Sequence, residues 1–414
     1  EVGDRAGAAS TLNSLGTVLS DQRDVATGVA MYEASLRQSE EIGDRKSMSA
    51  ALNNLGILFK DMRRYADALK AHERALALRR EINERNWMAI SLSNIGVVYF
   101  EQDRFGAAEQ YYRESLAVAR EVGDKRGIVR AQHNLAIVSR ETGQMVKAQA
   151  ALEESLALRR EIGDRRGQVP GMVELGMVLL ARADMTAAKK TQEDALALAR
   201  DVKLKPGEGQ ALYQLAQIAL ASGDIAEARR QHEATLAVRR DVGETRTIAD
   251  SELALAVLAL EEGRAADAEQ AARRVLAGLG EESAVPLRVP LQLLLARARI
   301  AQKDPSGAAQ ALATAQALAR NSERIDLRTD LALAEAEVAL ARGDTRTARA
   351  TLERLGTLLA PTGMALAEFD RRLLLARVDL AERRAEAAAT LQQLSADART
   401  AGARLVAQRA ENAR

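Results

Sequence analysis

From Gly16 onward every fortieth residue is small: Gly16, Gly56, Gly96, Ala136, Gly176, Ala216, Ala256, Ala296, Ala336 and Ala376. A second column behaves the same way, with Gly28, Ala68, Ala108, Ala148, Ala188, Ala228, Ala268, Ala308, Ala348 and Ala388. A third runs Leu15, Leu55, Ile95, Leu135, Leu175, Leu215, Leu255, Leu295, Glu335 and Leu375, so only Glu335 breaks an apolar series. A fixed period of this length means one short supersecondary unit used again and again. Such a unit cannot bury its own apolar face, so neighbours must stack to complete a core.

Glu41 to Arg80 shows the unit. Gly43-Asp44 closes one helix and opens the next, since glycine accepts the left-handed conformation and aspartate caps exposed amides. Apolar or small residues at Met48, Ala51, Leu52, Leu55, Gly56 and Phe59 then recur at spacings of three and four, the period of a one-sided helix, here helix A. After the polar turn Lys60 to Arg63, a second run through Tyr65, Ala68, Leu69, His72, Ala75, Leu76 and Leu78 gives helix B. The spacing predicts A helices starting near Asp44, Asp124 and Asp164, and B helices near Asp184, Asp224, Asp304 and Asp344.

The Leu-Gly pair in helix A, the small residue early in helix B and a second Ala or Ser near its end resemble the tetratricopeptide repeat. The forty-residue length, with recurring Asn-Leu-Gly and Gly-Asp-Arg, is similar to the long variety of kinesin light chains and Leu-Gly-Asn-repeat adaptors. The family's usual proline after helix B is absent. The resemblance implies an all-α fold, a right-handed α-solenoid of about ten antiparallel helix pairs, and a peptide or partner protein as ligand. It also implies that the residue two before the small position of helix A faces a concave groove. That position holds Ser14, Asn54, Asn94, Asn134, Glu174 and Gln214, then Ala254, Leu294, Ala334 and Leu374. Asn54, Asn94 and Asn134, with Asn53 beside the first, are thereby candidates to hold a ligand's main chain, because an amide both donates and accepts. The alternative is that these amides only bridge neighbouring helices.

Arg130, His133, Ile137 and Arg140 share a helical face around Asn134, and Lys60 occupies the equivalent of Arg140. A basic strip of Lys60, Arg130 and Arg140 suits an acidic peptide or a terminal carboxylate, unless the adjacent Asp61, Glu101 and Glu141 neutralise it. Eight of the eleven aromatics lie between Phe59 and Tyr112; Trp87 and Phe100 fit the core stripe poorly and are interface candidates.

The 59 basic and 58 acidic residues, a formal charge of +1, are mixed along every helix, which speaks against a nucleic-acid footprint. With no cysteine there are no disulfides or thiolate metal sites, and the composition fits a reducing compartment such as the cytoplasm. No apolar run is long enough to span a bilayer. His72 and His232 are equivalent positions too far apart to pair, His133 has no nucleophile at a suggestive spacing, and no phosphate loop or metal motif appears. The expectation is a non-catalytic binding scaffold without cofactor. The rival is a sensor region of a larger bacterial signalling protein, such as a Ser/Thr kinase or winged-helix regulator. Glu1 to Arg5 match the junction Glu41 to Arg45, so the chain is expected to be an excised segment.

One solenoid is expected over 1–414, with regular repeats over 5–165, altered junctions over 166–280, and degenerate repeats and a cap over 281–414. Pro170 suggests a helix starting late, near Gln168, and Lys203 to Gly207 a differently shaped corner. Gly278 to Pro286 reads as the longest interruption, Pro290 as a first-turn residue, and Ala401 to Arg414 as a frayed end or a helical cap.

Overall fold

The computed structural model describes residues 4–22, 24–243, 245–279 and 285–413, all helices and short turns with no strand among them. The A helices are α1 (Arg5–Asp21), α3 (Arg45–Asp61), α5 (Arg85–Glu101), α7 (Lys125–Glu141), α9 (Arg165–Ala181), α11 (Lys205–Ala221), α13 (Thr245–Glu261), α15 (Val285–Ala301), α17 (Ile325–Ala341) and α19 (Ala365–Ala381). The B helices are α2 (Val25–Glu41), α4 (Tyr65–Glu81), α6 (Phe105–Glu121), α8 (Met145–Glu161), α10 (Met185–Asp201), α12 (Ile225–Val242), α14 (Ala265–Gly278), α16 (Pro305–Leu318), α18 (Thr345–Leu359) and α20 (Ala387–Thr400). A single last helix, α21 (Arg404–Asn412), is ordered and buries Val406, Ala407 and Ala410. This is an α-solenoid of helix pairs, in two compact units comprising residues 1–138 and 139–414.

The turns explain the regularity. A left-handed residue recurs every twentieth position, at Gly43, Arg63, Asn83, Asp103, Gly123, Gly143, Gly163, Ala183, Lys203 and Gly223. The next amide reaches back five residues, as when Asp44 donates to the Ser39 carbonyl at 2.9 Å, which closes each helix with a Schellman-type bond. Aspartate opens the next helix: Asp164 accepts from the Gly167 amide at 2.9 Å, and Asp184, Asp224, Asp304 and Asp344 cap their helices alike.

Three expectations need correction. The junction at Lys203 is not a different corner: Lys203 is left-handed (φ 53°) and Leu204 donates to the Ala199 carbonyl at 2.8 Å, as Asp164 does to Arg159 and Asp224 to Ala219 at 2.9 Å. Helix α9 starts at Arg165, not near Gln168, and Pro170 lies inside it, as Pro290 lies inside α15. Each proline is the sixth residue of its helix, past the first turn. Stacking decides this, because Val169 and Gly171 are already buried and fix the helix where the repeat requires it. Within Gly278 to Pro286, residues 280–284 lie outside the described residues, as does Gly3 of the first junction.

The small columns are where helices approach closely. A Cβ added at Gly56 would meet the His72 ring at 2.6 Å, and one at Gly96 the Tyr112 ring at 2.6 Å, so large helix B side chains lie across these glycines. In the second column Ala68, Ala108, Ala148, Ala188, Ala228, Ala268, Ala308 and Ala348 are all 0% exposed. Ala148→Leu should therefore destabilise by about 1–3 kcal/mol through overpacking, read as a lowered urea midpoint; an unchanged midpoint would show that the column is not packed. Glu335, the exception in the Leu column, is satisfied by the Thr351 hydroxyl at 3.2 Å and by Arg354 at 3.7 Å.

Candidate functional site

In the first unit the repeat sets Asn54, Asn94 and Asn134 one per A helix, all half-buried. Asn54 Nδ2 donates to Asn13 Oδ1 at 3.1 Å, Asn94 Nδ2 to Asn53 Oδ1 at 3.0 Å and Asn134 Nδ2 to Ser93 Oγ at 3.3 Å. Each partner lies on the preceding A helix, so the amides form a ladder of interhelical bridges. The bridge uses one N–H and fixes each side chain's orientation. Asn53 is buried and also accepts from Arg79 Nη1 at 3.4 Å, so it anchors the ladder from behind.

The charged candidates divide. Lys60 pairs with its neighbour Asp61 at 2.6 Å. Arg140, in the second unit, is held by Glu141 at 2.7 Å and Glu174 at 2.9 Å, which occupies the groove position of its own repeat. Arg130 is half-buried, with an Nη2 that has no hydrogen-bond partner, and burial lowers its pKa. His133 is half-buried on the same helix. Alongside run exposed Asp21, Asp61 and Glu101 at the ends of α1, α3 and α5.

Trp87 is 48% exposed, its ring 5.3 Å from the Arg79 guanidinium, while Arg79 Nη1 donates to the Trp87 carbonyl at 2.9 Å. Arg79 is itself buried and also donates to Ser91 Oγ at 2.6 Å; burial brings its pKa down to about 10. Phe100 is half-buried against Phe105, with ring centroids 5.4 Å apart. Burial, with Arg79 and Lys60 adding, holds His72 neutral with a pKa of about 4.

The second unit closes on itself. Helix α19 packs against α9 and α21 against α11, and Ala183 and Met185 share one apolar cluster with Leu391, Val406 and Ala407. Ala254, Leu294, Ala334 and Leu374, the apolar continuation of the asparagine column, are buried here. One cavity of this unit, about 660 Å³, lies between α13, α15, α17, α19 and α21. Its lining includes Arg297, whose Nε donates to Glu337 at 2.9 Å, and Arg409, which pairs closely with Glu261 and lies 3.9 Å from Asp370. Burial, with Asp326, Asp370 and Glu337 adding and Arg297 opposing, pushes the Asp330 carboxyl up to about 6. Burial also raises Asp370, against Arg409 and Arg297.

These residues were missed at the sequence level, although the forty-residue step does contain them. Arg130 leads by that step to Asp330 and Asp370, and Ile137 leads to Arg297, Glu337 and Arg377. Charges in a column that elsewhere holds the uncharged Thr17, Ile57, Val97, Ile137, Met177, Gln217 and Val257 were the signal.

The tetratricopeptide repeat family model matches residues 7–81, 87–161 and 168–241. No curated protein matches the sequence. Among solved structures, a Rap protein complexed with competence and sporulation factor is similar at 15% identity and TM-score 0.56, over 87% of this chain and 98% of that one. The apo quorum sensor NprR from B. thuringiensis is similar at 17% identity and TM-score 0.55, over 75% and 87%. PH0952 from Pyrococcus horikoshii, a signal transduction ATPase with a tetratricopeptide repeat sensor, is similar at 16% identity and TM-score 0.52, over 75% of this chain and 47% of that one. At these identities the likeness is one of fold. Among the described residues, no helix is long and apolar enough to cross a membrane.

Proposed function

Because the chain belongs to the tetratricopeptide repeat family, we propose that it is a non-catalytic scaffold that binds an extended peptide or partner segment along the asparagine ladder of its first unit. The ladder itself carries the reading. Each bridge uses an N–H, and the amide oxygens of Asn94 and Asn134 are left without an intramolecular hydrogen bond on half-buried side chains. Bridging and binding are then compatible: the bridge fixes the rotamer before the ligand arrives, which lowers the ordering cost of association. Exposed Asp21 and Glu101 and the pairing of Lys60 favour a segment with basic side chains over an acidic one. Arg130, His133, Trp87 and Phe100 are the flanking contacts of this reading.

The test is a peptide-array screen with the full chain, then affinities of the best peptide for wild type and for N54A/N94A/N134A. Two or three lost hydrogen bonds at about 0.5–1.5 kcal/mol each predict a weakening of roughly one to three orders of magnitude. Equal binding by a folded triple variant would refute the site. Loss of folding would leave the amides as bridges alone.

A second reading, the sensor region of a larger bacterial signalling protein, draws on the likeness to PH0952, of which this chain spans about half the length. In that reading the ladder binds the signal, and the same substitutions would abolish the response of the intact protein.

A further inference from the structure

We propose that the cavity of the second unit is a separate binding site for an aliphatic cation, an ammonium or guanidinium group on a hydrocarbon chain. Its volume of about 660 Å³ falls in the range of small-molecule sites. Leu260, Ile300, Leu333, Leu340, Leu373 and Leu374 give it walls that fit an alkyl chain.

Charge selects the head group. Four carboxylates, Glu261, Asp330, Glu337 and Asp370, line it with three guanidiniums, Arg297, Arg377 and Arg409. Glu337 takes Arg297 and Glu261 takes Arg409. Among the described residues, Asp370 has a 3.9 Å contact with Arg409, and Asp330 has no ion pair within 4 Å, although Arg297 is near enough to favour its charged form. Two half-buried carboxylates are thus left without a close partner in a chamber lined by both apolar and charged side chains, an arrangement that a cation would complete. Arg297 and Arg409 are already engaged, so an anion would meet only the exposed Arg377, and the carboxylates outnumber the guanidiniums four to three.

The columns that place Asp330 and Asp370 one repeat apart give the site its shape, because they put both carboxylates on the inner face of adjacent A helices, α17 and α19. A single cation between those helices can accept from neither but donate to both, as a three-donor ammonium or a forked guanidinium does. The cation could belong to a free amine or to a lysine or arginine side chain of a bound peptide.

Isothermal titration of the full chain separates these sources. Hexylamine and agmatine are the free cations, hexanol and hexanoate the controls of equal chain, and acetyl-Leu-Arg-Leu-amide the peptide. Hexylamine or agmatine should bind at least tenfold more tightly than hexanol, and hexanoate should not bind. If only the tripeptide binds, the cation is a side chain and the site stands. Asp330→Asn should weaken whichever cation binds by about ten- to a hundredfold, and Asp370→Asn should act in the same direction. Binding indifferent to charge, or unchanged in both folded variants, would overturn the proposal. Because N54A/N94A/N134A lies in the other unit, it should leave this binding intact, so the two sites can fail independently.

Discussion

Replacing Glu141 by alanine should destabilise the second unit by about 3 kcal/mol, the lower end of what breaking a buried ion pair costs. Glu141 is 2% exposed at the end of α7, with Arg140 at 2.7 Å and Arg324 at 2.6 Å. Arg324 stands just before α17, so this carboxylate joins two parts of the chain far apart in sequence. The neighbouring contacts make the same junction: Met145 donates its amide to the Thr362 carbonyl at 3.2 Å, and a Cβ on Gly143 would meet Thr362 at 2.9 Å. Without Glu141, Arg140 keeps Glu174 at 2.9 Å, whereas Arg324 loses its 2.6 Å ion pair and stands 3.7 Å from Asp326. The guanidinium left behind carries the penalty, which is why Glu141→Leu combined with Arg324→Met should recover most of the loss. Urea unfolding of the single and double variants measures both effects. A single variant within about 1 kcal/mol of wild type would mean that the junction does not hold the unit closed.

That junction also marks where sequence reading stopped. The forty-residue step located the helix starts after Asp44, Asp124, Asp184, Asp224, Asp304 and Asp344, because a stacked repeat gives each residue the same neighbours as its counterpart one unit away. It placed the aspartate caps and the packed alanine column as far as Ala348 for the same reason, but not Ala388, which is exposed because α20 starts two residues late and buries Ala387 instead. It erred at Pro170 and Lys203, where local propensity pointed one way and stacking prevailed. It could not reach Glu141 with Arg324, or Gly223 beside Gln408, since these contacts depend on curvature accumulated over several repeats. The asparagine ladder lay between these cases. Its residues were legible, but the bridging partners Asn13, Asn53 and Ser93, each forty-one residues upstream, come from the tilt between adjacent A helices.

Asp330→Asn should make the unliganded protein more stable, by roughly 2 kcal/mol at pH 7.5, although it removes a charged group from a folded structure. The sign follows from the carboxyl's pKa, about 6 in the folded chain against 3.8 as the ordinary value. A group raised in this way favours the folded state fully below about pH 4, and that contribution is lost as the pH rises through about 6. The wild type therefore pays most at neutral pH, where burial and the facing Asp326, Asp370 and Glu337 outweigh Arg297. Asparagine keeps the shape and removes the charge, and Arg297 retains Glu337 at 2.9 Å. The difference in melting temperature between variant and wild type should then be several degrees at pH 7.5 and close to zero at pH 4. An equal difference at both pH values would assign the effect to packing, and a destabilised variant would show that Arg297 needs Asp330 more than the cavity is burdened by it. Added hexylamine should reverse the order, because a cation that binds only the folded wild type stabilises it in proportion to the logarithm of its concentration and leaves the variant nearly unmoved. A residue whose removal strengthens the empty protein and weakens the occupied one is placed for a ligand, since stability alone would have selected asparagine or leucine there.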